Sequence, residues 1–127
     1  MRNYQKLTQA IVVAVVVLTI WLISPVMAAG DPEVAKQAWP MIESGALVID
    51  VRSAEEFAGG HLDGAINIDW DDTDALIKAI GNDKQRPVVF YCRSGNRAGK
   101  AAAHLKLGGY TSIFNATGLE ALKETKP

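Results

Sequence analysis

The sequence predicts an α/β domain built on a parallel sheet with helices on both faces. Two observations carry this expectation. Short apolar runs alternate with helical stretches along residues 31–127, and no Asn-Gly hairpin turn joins one run to the next. The 99 residues after position 28 are also 43% apolar, the composition of one soluble domain with a modest core.

The elements follow in order. Asp31 is an N-cap and Pro32 a first helical residue, so a helix is expected from there to about Glu43, closed by Ser44-Gly45. Residues 46–51, ALVIDV, form an apolar β-branched run that reads as a buried strand. Ser53 caps a short helix over residues 54–58, which Gly59-Gly60 stops. A second strand is expected over residues 65–68. Asp71 or Asp72 caps a helix whose apolar stripe is Leu76, Ile77 and Ile80. The most hydrophobic strand, PVVFY, spans residues 87–91. Good helix formers occupy residues 97–107 and end at Gly108-Gly109. A fourth strand is expected over residues 110–114, and a last short helix over 118–124.

Residues 1–28 differ from the rest. Arg2 and Lys6 precede a run of fourteen residues, Ala10 to Ile23, in which Thr19 is the only polar one; Ser24-Pro25 breaks the run, and Val26 and Ala28 fit positions −3 and −1 of a cleavage site. This is the layout of a secretory signal cut after Ala28. An uncleaved anchor is the alternative, although the run is short against the roughly 20 residues a span needs. Either way the domain is expected to be periplasmic or otherwise exported, touching a membrane only through an uncleaved N-terminus. The chain's 13 basic and 14 acidic residues give a net charge of −1, which excludes the clustered excess base of a nucleic-acid binder.

Cys92 is the only cysteine. An odd thiol in an exported protein is either inert and buried or reactive. Its setting favours reactivity. A buried strand ends at Tyr91, Cys92-Arg93-Ser94-Gly95-Asn96-Arg97 follows, and a helix begins. Such a loop wraps tightly, its N–H groups able to converge as an anion nest, with the helix N-terminus adding partial positive charge. Arg93 and Arg97 add two guanidinium groups, and all three effects favour thiolate over thiol. One cysteine with His61 and His104 is too thin a ligand set for a metal site, so no metal or cofactor is expected. His61 reads as a histidine bonded to neighbouring backbone, His104 as an ordinary helical residue, and Trp39 and Trp70 as core or rim.

The segment YCRSGNRA resembles the active-site loop of the rhodanese family, sulfurtransferases with a Cys-Arg-x-Gly-x-Arg signature. DVRSAEEF from Asp50, GHLDGAINI from Gly60 and GGYTSIFNATGLEAL from Gly108 resemble further elements of that family, in the same order. The resemblance covers about residues 34–122. It implies a three-layer α/β/α fold; because Asp31 leads straight into helix, a four- or five-stranded sheet is expected. Thr117-Gly118 stands where the family usually has Gly-Gly, which is expected to stiffen that turn.

The resemblance further implies that a sulfurtransferase loop has four residues between Cys and Arg, and that related phosphatases and arsenate reductases have one more. Between Cys92 and Arg97 there are four. The implied activity is transfer of a sulfane sulfur, through a Cys92 persulfide, from a small anionic donor such as thiosulfate to cyanide or a thiol. Arg93 is expected at the mouth. Arg97 is expected to brace the loop from below by pairing with Asp50, whose buried carboxylate needs either that partner or backbone N–H groups. Arg52 and Glu56, spaced i, i+4, are expected to pair as a structural support. Ser94, Gly95 and Asn96 form the loop, with Ser94 and Asn96 open to a role in lining the mouth. A non-catalytic module that binds a protein partner is the reading from a different class.

Overall fold

The computed structural model describes residues 29–127. The expected export segment, with its choice between cleavage and anchoring, lies outside the described residues. Among these, no helix is long and apolar enough to cross a membrane.

Asp31 caps the first helix as its residue type predicts, its carboxylate accepting the N–H groups of Glu33 and Val34. The single helix expected up to Glu43 is two: α1 (Pro32–Lys36) and α2 (Trp39–Glu43). Pro40 explains the break. It has no N–H to give, and in a continuous helix its ring would press on the carbonyl four residues back. Here it sits in the first turn of α2, where neither matters.

The strands are β1 (Leu47–Asp50), β2 (Ile66–Asn67), β3 (Val88–Cys92) and β4 (Ile113–Gly118). All pair in parallel, in the order β2-β1-β3-β4. The sheet thus has four strands among the described residues. Between β1 and β2 lies α3 (Ala54–Ala58), which starts with a complete capping box between Ser53 and Glu56. Then α4 (Thr73–Ile80), capped by Asp72, precedes β3, and α5 (Asn96–Leu107) leads to β4, which runs into α6 (Leu119–Glu124).

Alternation along each strand sorts the side chains into two cores. Val48, Val89 and Tyr91 pack with Ala35, Trp39, Leu119 and Leu122 of α1, α2 and α6. Ile49, Val88, Phe90 and Cys92 pack with Leu76 and Ile80 of α4 and Ala98, Ala101 and Leu105 of α5. Three layers result. Trp39 is a core residue whose indole N–H bonds the Leu122 carbonyl at 3.2 Å. Trp70 packs at the margin of the second core.

One strand lies later than its sequence suggests. Residues 110–114 were the expected fourth strand, but Tyr110 and Thr111 are held elsewhere. The Tyr110 hydroxyl donates to the Gly81 carbonyl at 2.8 Å, and the Thr111 N–H to the Lys84 carbonyl at 2.9 Å. The strand proper begins at Ile113 and runs through Asn-Ala-Thr-Gly, residue types that ordinarily signal a turn. Its register on β3 slips by one residue: Phe90 faces Asn115, yet Cys92 faces Gly118. β4 therefore carries a bulge opposite the end of β3.

Candidate active site

In the order β2-β1-β3-β4 the chain leaves β1 toward one edge of the sheet and β3 toward the other. The loops after β1 and β3 diverge there, and such a switch point opens a crevice beyond the carboxyl ends of the strands. Cys92 ends β3, and Asp50 ends β1 beside it, with Asp50 paired to Tyr91 in the sheet.

Cys92 is 1% exposed, so its thiol lies under the loop rather than on it. The loop turns on Gly95, whose φ of 101° is a left-handed conformation open to glycine. That turn brings the Gly95 N–H to 3.0 Å from the Cys92 sulfur, a donor aimed at the atom that carries charge as a thiolate. Immediately beyond, α5 begins at Asn96, with its free N–H groups at the same end. Gly95 is buried, while Arg93, Ser94 and Asn96 are exposed around it.

The supporting ion pairs exchange partners relative to the sequence expectation. Asp50 does not pair with Arg97; it is bound by Arg52. The Arg52 guanidinium donates from Nε to Oδ1 at 3.0 Å and from Nη2 to Oδ2 at 2.7 Å, and the Arg52 backbone N–H adds a bond of 2.9 Å. Nor does Arg52 pair with Glu56. Arg52 precedes the cap of α3 and is not helical, so the i, i+4 geometry of a helix never forms. It lies two residues beyond Asp50 where the chain bends after β1, and the Asp50 carboxylate caps that bend through the Arg52 N–H. Glu56 instead meets Arg97, Oε1 to Nη1 at 2.6 Å and Oε2 to Nη2 at 3.0 Å. Arg97 does pair with a carboxylate, but that carboxylate belongs to α3.

The electrostatics follow from these contacts. The Arg97 hydrogen bonds lower the Glu56 carboxyl from 4.5 to about 2, with Ser53 assisting and burial opposing. Arg97 and Arg52 are raised above the usual guanidinium value, foremost by their bonds to Glu56 and Asp50. Tyr91, buried behind the site, is raised by desolvation; its hydroxyl accepts the Leu62 N–H at 2.9 Å and its ring lies 5.9 Å from the Arg52 guanidinium. Asp50 and Arg52 are both buried, so the two form a fixed ion pair at the end of β1.

Other residues that sequence reasoning did not single out also shape the site. Asn67 donates from Nδ2 to the carbonyls of Asp50 and Arg52 at 3.0 and 2.9 Å, fixing the end of β1. Asn115 donates from Nδ2 to the Gly95 carbonyl at 2.9 Å. A polar amide inside an expected strand was the available signal for Asn67; Asn115 lay beyond the expected fourth strand and gave none. His61 bonds the Phe57 carbonyl at 2.9 Å and stacks on the Phe57 ring, the backbone-bonded role its sequence context predicts.

The Rhodanese-like domain family model matches residues 34–124. The thiosulfate sulfurtransferase GlpE of Pseudomonas fluorescens strain SBW25 is 32% identical over 93 residues, 72% of this chain and 84% of that protein. The thiosulfate sulfurtransferase PspE of Escherichia coli K12 is 37% identical over 78 residues, 61% of this chain and 75% of that protein. An uncharacterized Bacillus subtilis protein, YqhL, is 42% identical over 73 residues; the match spans 56% of its length. Among solved structures, a rhodanese with anions from E. coli superposes with a TM-score of 0.56 at 36% identity, covering 61% of this chain and 91% of that one. The human single-domain sulfurtransferase TSTD1 superposes with a TM-score of 0.58 at 26% identity, covering 72% and 93%.

Proposed function

Given that this chain belongs to the rhodanese-like domain family, we propose that it is a thiosulfate sulfurtransferase carrying sulfur on Cys92. The Gly95 N–H aimed at the Cys92 sulfur, in a loop with four residues between Cys92 and Arg97, is the observation that carries the proposal. The names of GlpE and PspE supply the donor class.

Two displacements make the cycle. The Cys92 thiolate attacks the outer sulfur of thiosulfate; a new S–S bond forms, the old one breaks, and sulfite leaves with its electron pair. Cyanide or a thiolate then attacks the outer sulfur of the persulfide. Thiocyanate or a hydropersulfide departs and the Cys92 thiolate returns, with no net electrons gained or lost. Dividing the transfer into two steps is covalent catalysis. The chain's own residues have distinct tasks. Gly95 and the start of α5 stabilise anionic sulfur in a site shielded from water, where fixed donors act strongly. Exposed Arg93 meets the dianionic donor at the mouth, and Arg97, tied to Glu56, holds the helical end of the loop. The N-terminal segment supports an exported location, tested by the mass of the mature chain.

Intact mass after incubation with thiosulfate is the decisive test. Gain of one sulfur atom, removed by cyanide and absent in Cys92→Ser, is the expected result. No gain in the wild-type protein would overturn the proposal in favour of a binding module.

A further inference from the structure

Thr117 is the one residue other than glycine with a left-handed backbone among the described residues, at φ 68°. A β-branched side chain is poorly suited to that region, so the surroundings must hold it there. It sits within the bulge of β4, one residue before the Gly118 that faces Cys92 in the sheet.

What holds it is a strap of chain from before α1. The Thr117 hydroxyl accepts the Asp31 N–H at 2.8 Å and donates to the Asp31 carbonyl at 3.3 Å. Packing beside it leaves no room for side chains. A Cβ on Gly30 would come within 2.6 Å of the Gly118 nitrogen and 2.9 Å of the Thr117 hydroxyl. A Cβ on Gly118 would overlap the carbonyl oxygens of both Ala29 and Arg93. On its inner side Thr117 abuts the loop: a Cβ on Gly95 would lie 3.1 Å from the Thr117 Cα. Asn115 completes the contact, accepting the Thr117 N–H on Oδ1 at 2.9 Å while its Nδ2 holds the Gly95 carbonyl.

We propose that Thr117 is a positioning residue of the active site, which clamps the strap Ala29–Asp31 behind the Cys92–Arg97 loop and so fixes the Gly95 N–H on the sulfur. The bulge and the strained backbone set Thr117 against Gly95, whose conformation aims that donor, while the hydroxyl bonds tie Thr117 to the strap. The inference rests on Cys92 being the reacting group, and its test does not depend on sulfur transfer alone.

Three variants of the full chain separate positioning from mere stability. Thr117→Gly relieves the backbone and removes the hydroxyl, so folding is secured while the clamp is lost. Thr117→Ser keeps the hydroxyl. Gly30→Ala keeps Thr117 but forces the strap and the bulge apart, because the new Cβ would meet Gly118 and the Thr117 hydroxyl. Sulfur gain from saturating thiosulfate, iodoacetamide alkylation of Cys92 and the melting temperature are measured for each. Thr117→Gly and Gly30→Ala should slow both reactions about tenfold, as a small misplacement of a reacting group does, and Thr117→Ser should restore them. Thr117→Gly should do so without a fall in melting temperature. Wild-type rates in Thr117→Gly, whatever its melting temperature, overturn the proposal. A wild-type protein that gains no sulfur overturns the sulfurtransferase reading instead, and the clamp is then decided by the alkylation rates.

Discussion

Glu56→Gln tests how the loop is braced. Glutamine at that position keeps an oxygen for the capping box with Ser53, so α3 should remain. What disappears is the charge facing Arg97 across 2.6 and 3.0 Å. A carboxyl lowered from 4.5 to about 2 would correspond to roughly 3 kcal/mol at about 1.4 kcal/mol per pH unit. Both side chains are about one-third exposed, 30% for Arg97 and 35% for Glu56. Water screens such a pair, and isolated exposed pairs yield about 0.2–1 kcal/mol. Two-bond carboxylate–guanidinium geometry lies above that range, so about 1–2 kcal/mol is expected for this pair. In a domain of this size that lowers the melting temperature by about 5–10 °C. The sign with pH is fixed. The folded-state value lies below the unfolded one, so the contribution is fully present above about pH 4.5 and lost as pH falls toward about 2. Urea unfolding of wild type and Glu56→Gln across that window should show the gap closing on acidification. A gap that stays constant from neutral pH to about pH 3, or a variant as stable as wild type at neutral pH, would refute the reasoning. Arg97→Ala alone and with Glu56→Gln closes a double-mutant cycle, and the two effects should fall well short of additive.

Asp50→Asn leaves the Arg52 guanidinium buried against a neutral partner and should cost about 3–5 kcal/mol by denaturant unfolding; a loss under ~1 kcal/mol would show that this buried pair contributes little. Arg93→Ala removes an exposed side chain, so stability should stay within about 0.5 kcal/mol of wild type. The KM for thiosulfate should rise, and less so for an uncharged sulfur donor; equal losses with both donors would remove Arg93 from donor binding. Gly95→Ala combines a left-handed backbone with a Cβ against Thr117, and a cost of about 1–2 kcal/mol is expected from the backbone alone. Its sulfur gain from thiosulfate should fall more steeply than its stability, because the N–H on the Cys92 sulfur moves with it.

The nature of the fold was legible because its signals are local. β-branched runs at 47–50 and 88–92 need burial on both faces, and caps at Asp31, Ser53 and Asp72 are properties of a residue and its next three neighbours. The Cys92 loop was legible for the same reason: strand end, glycine and helix start lie within six residues. The partners of the charged groups were not. Asp50 with Arg52 and Glu56 with Arg97 are chosen by how β1, α3 and the Cys92 loop stand relative to one another, and spacing along the chain favoured the opposite exchange. Nor did sequence place β4, since Asn-Ala-Thr-Gly signals a turn until β3 supplies the strand it pairs with. The same holds for the strap: Asp31 and Thr117 are 86 residues apart, and only the packed sheet brings that backbone to that hydroxyl. Sequence by itself determined that the lone cysteine of the domain ends a buried strand in a short glycine-containing loop before a helix, because those signals lie within six neighbouring residues. Tertiary structure decided what holds those residues still, because buried charges and strained backbones take whichever partner the packing brings within reach.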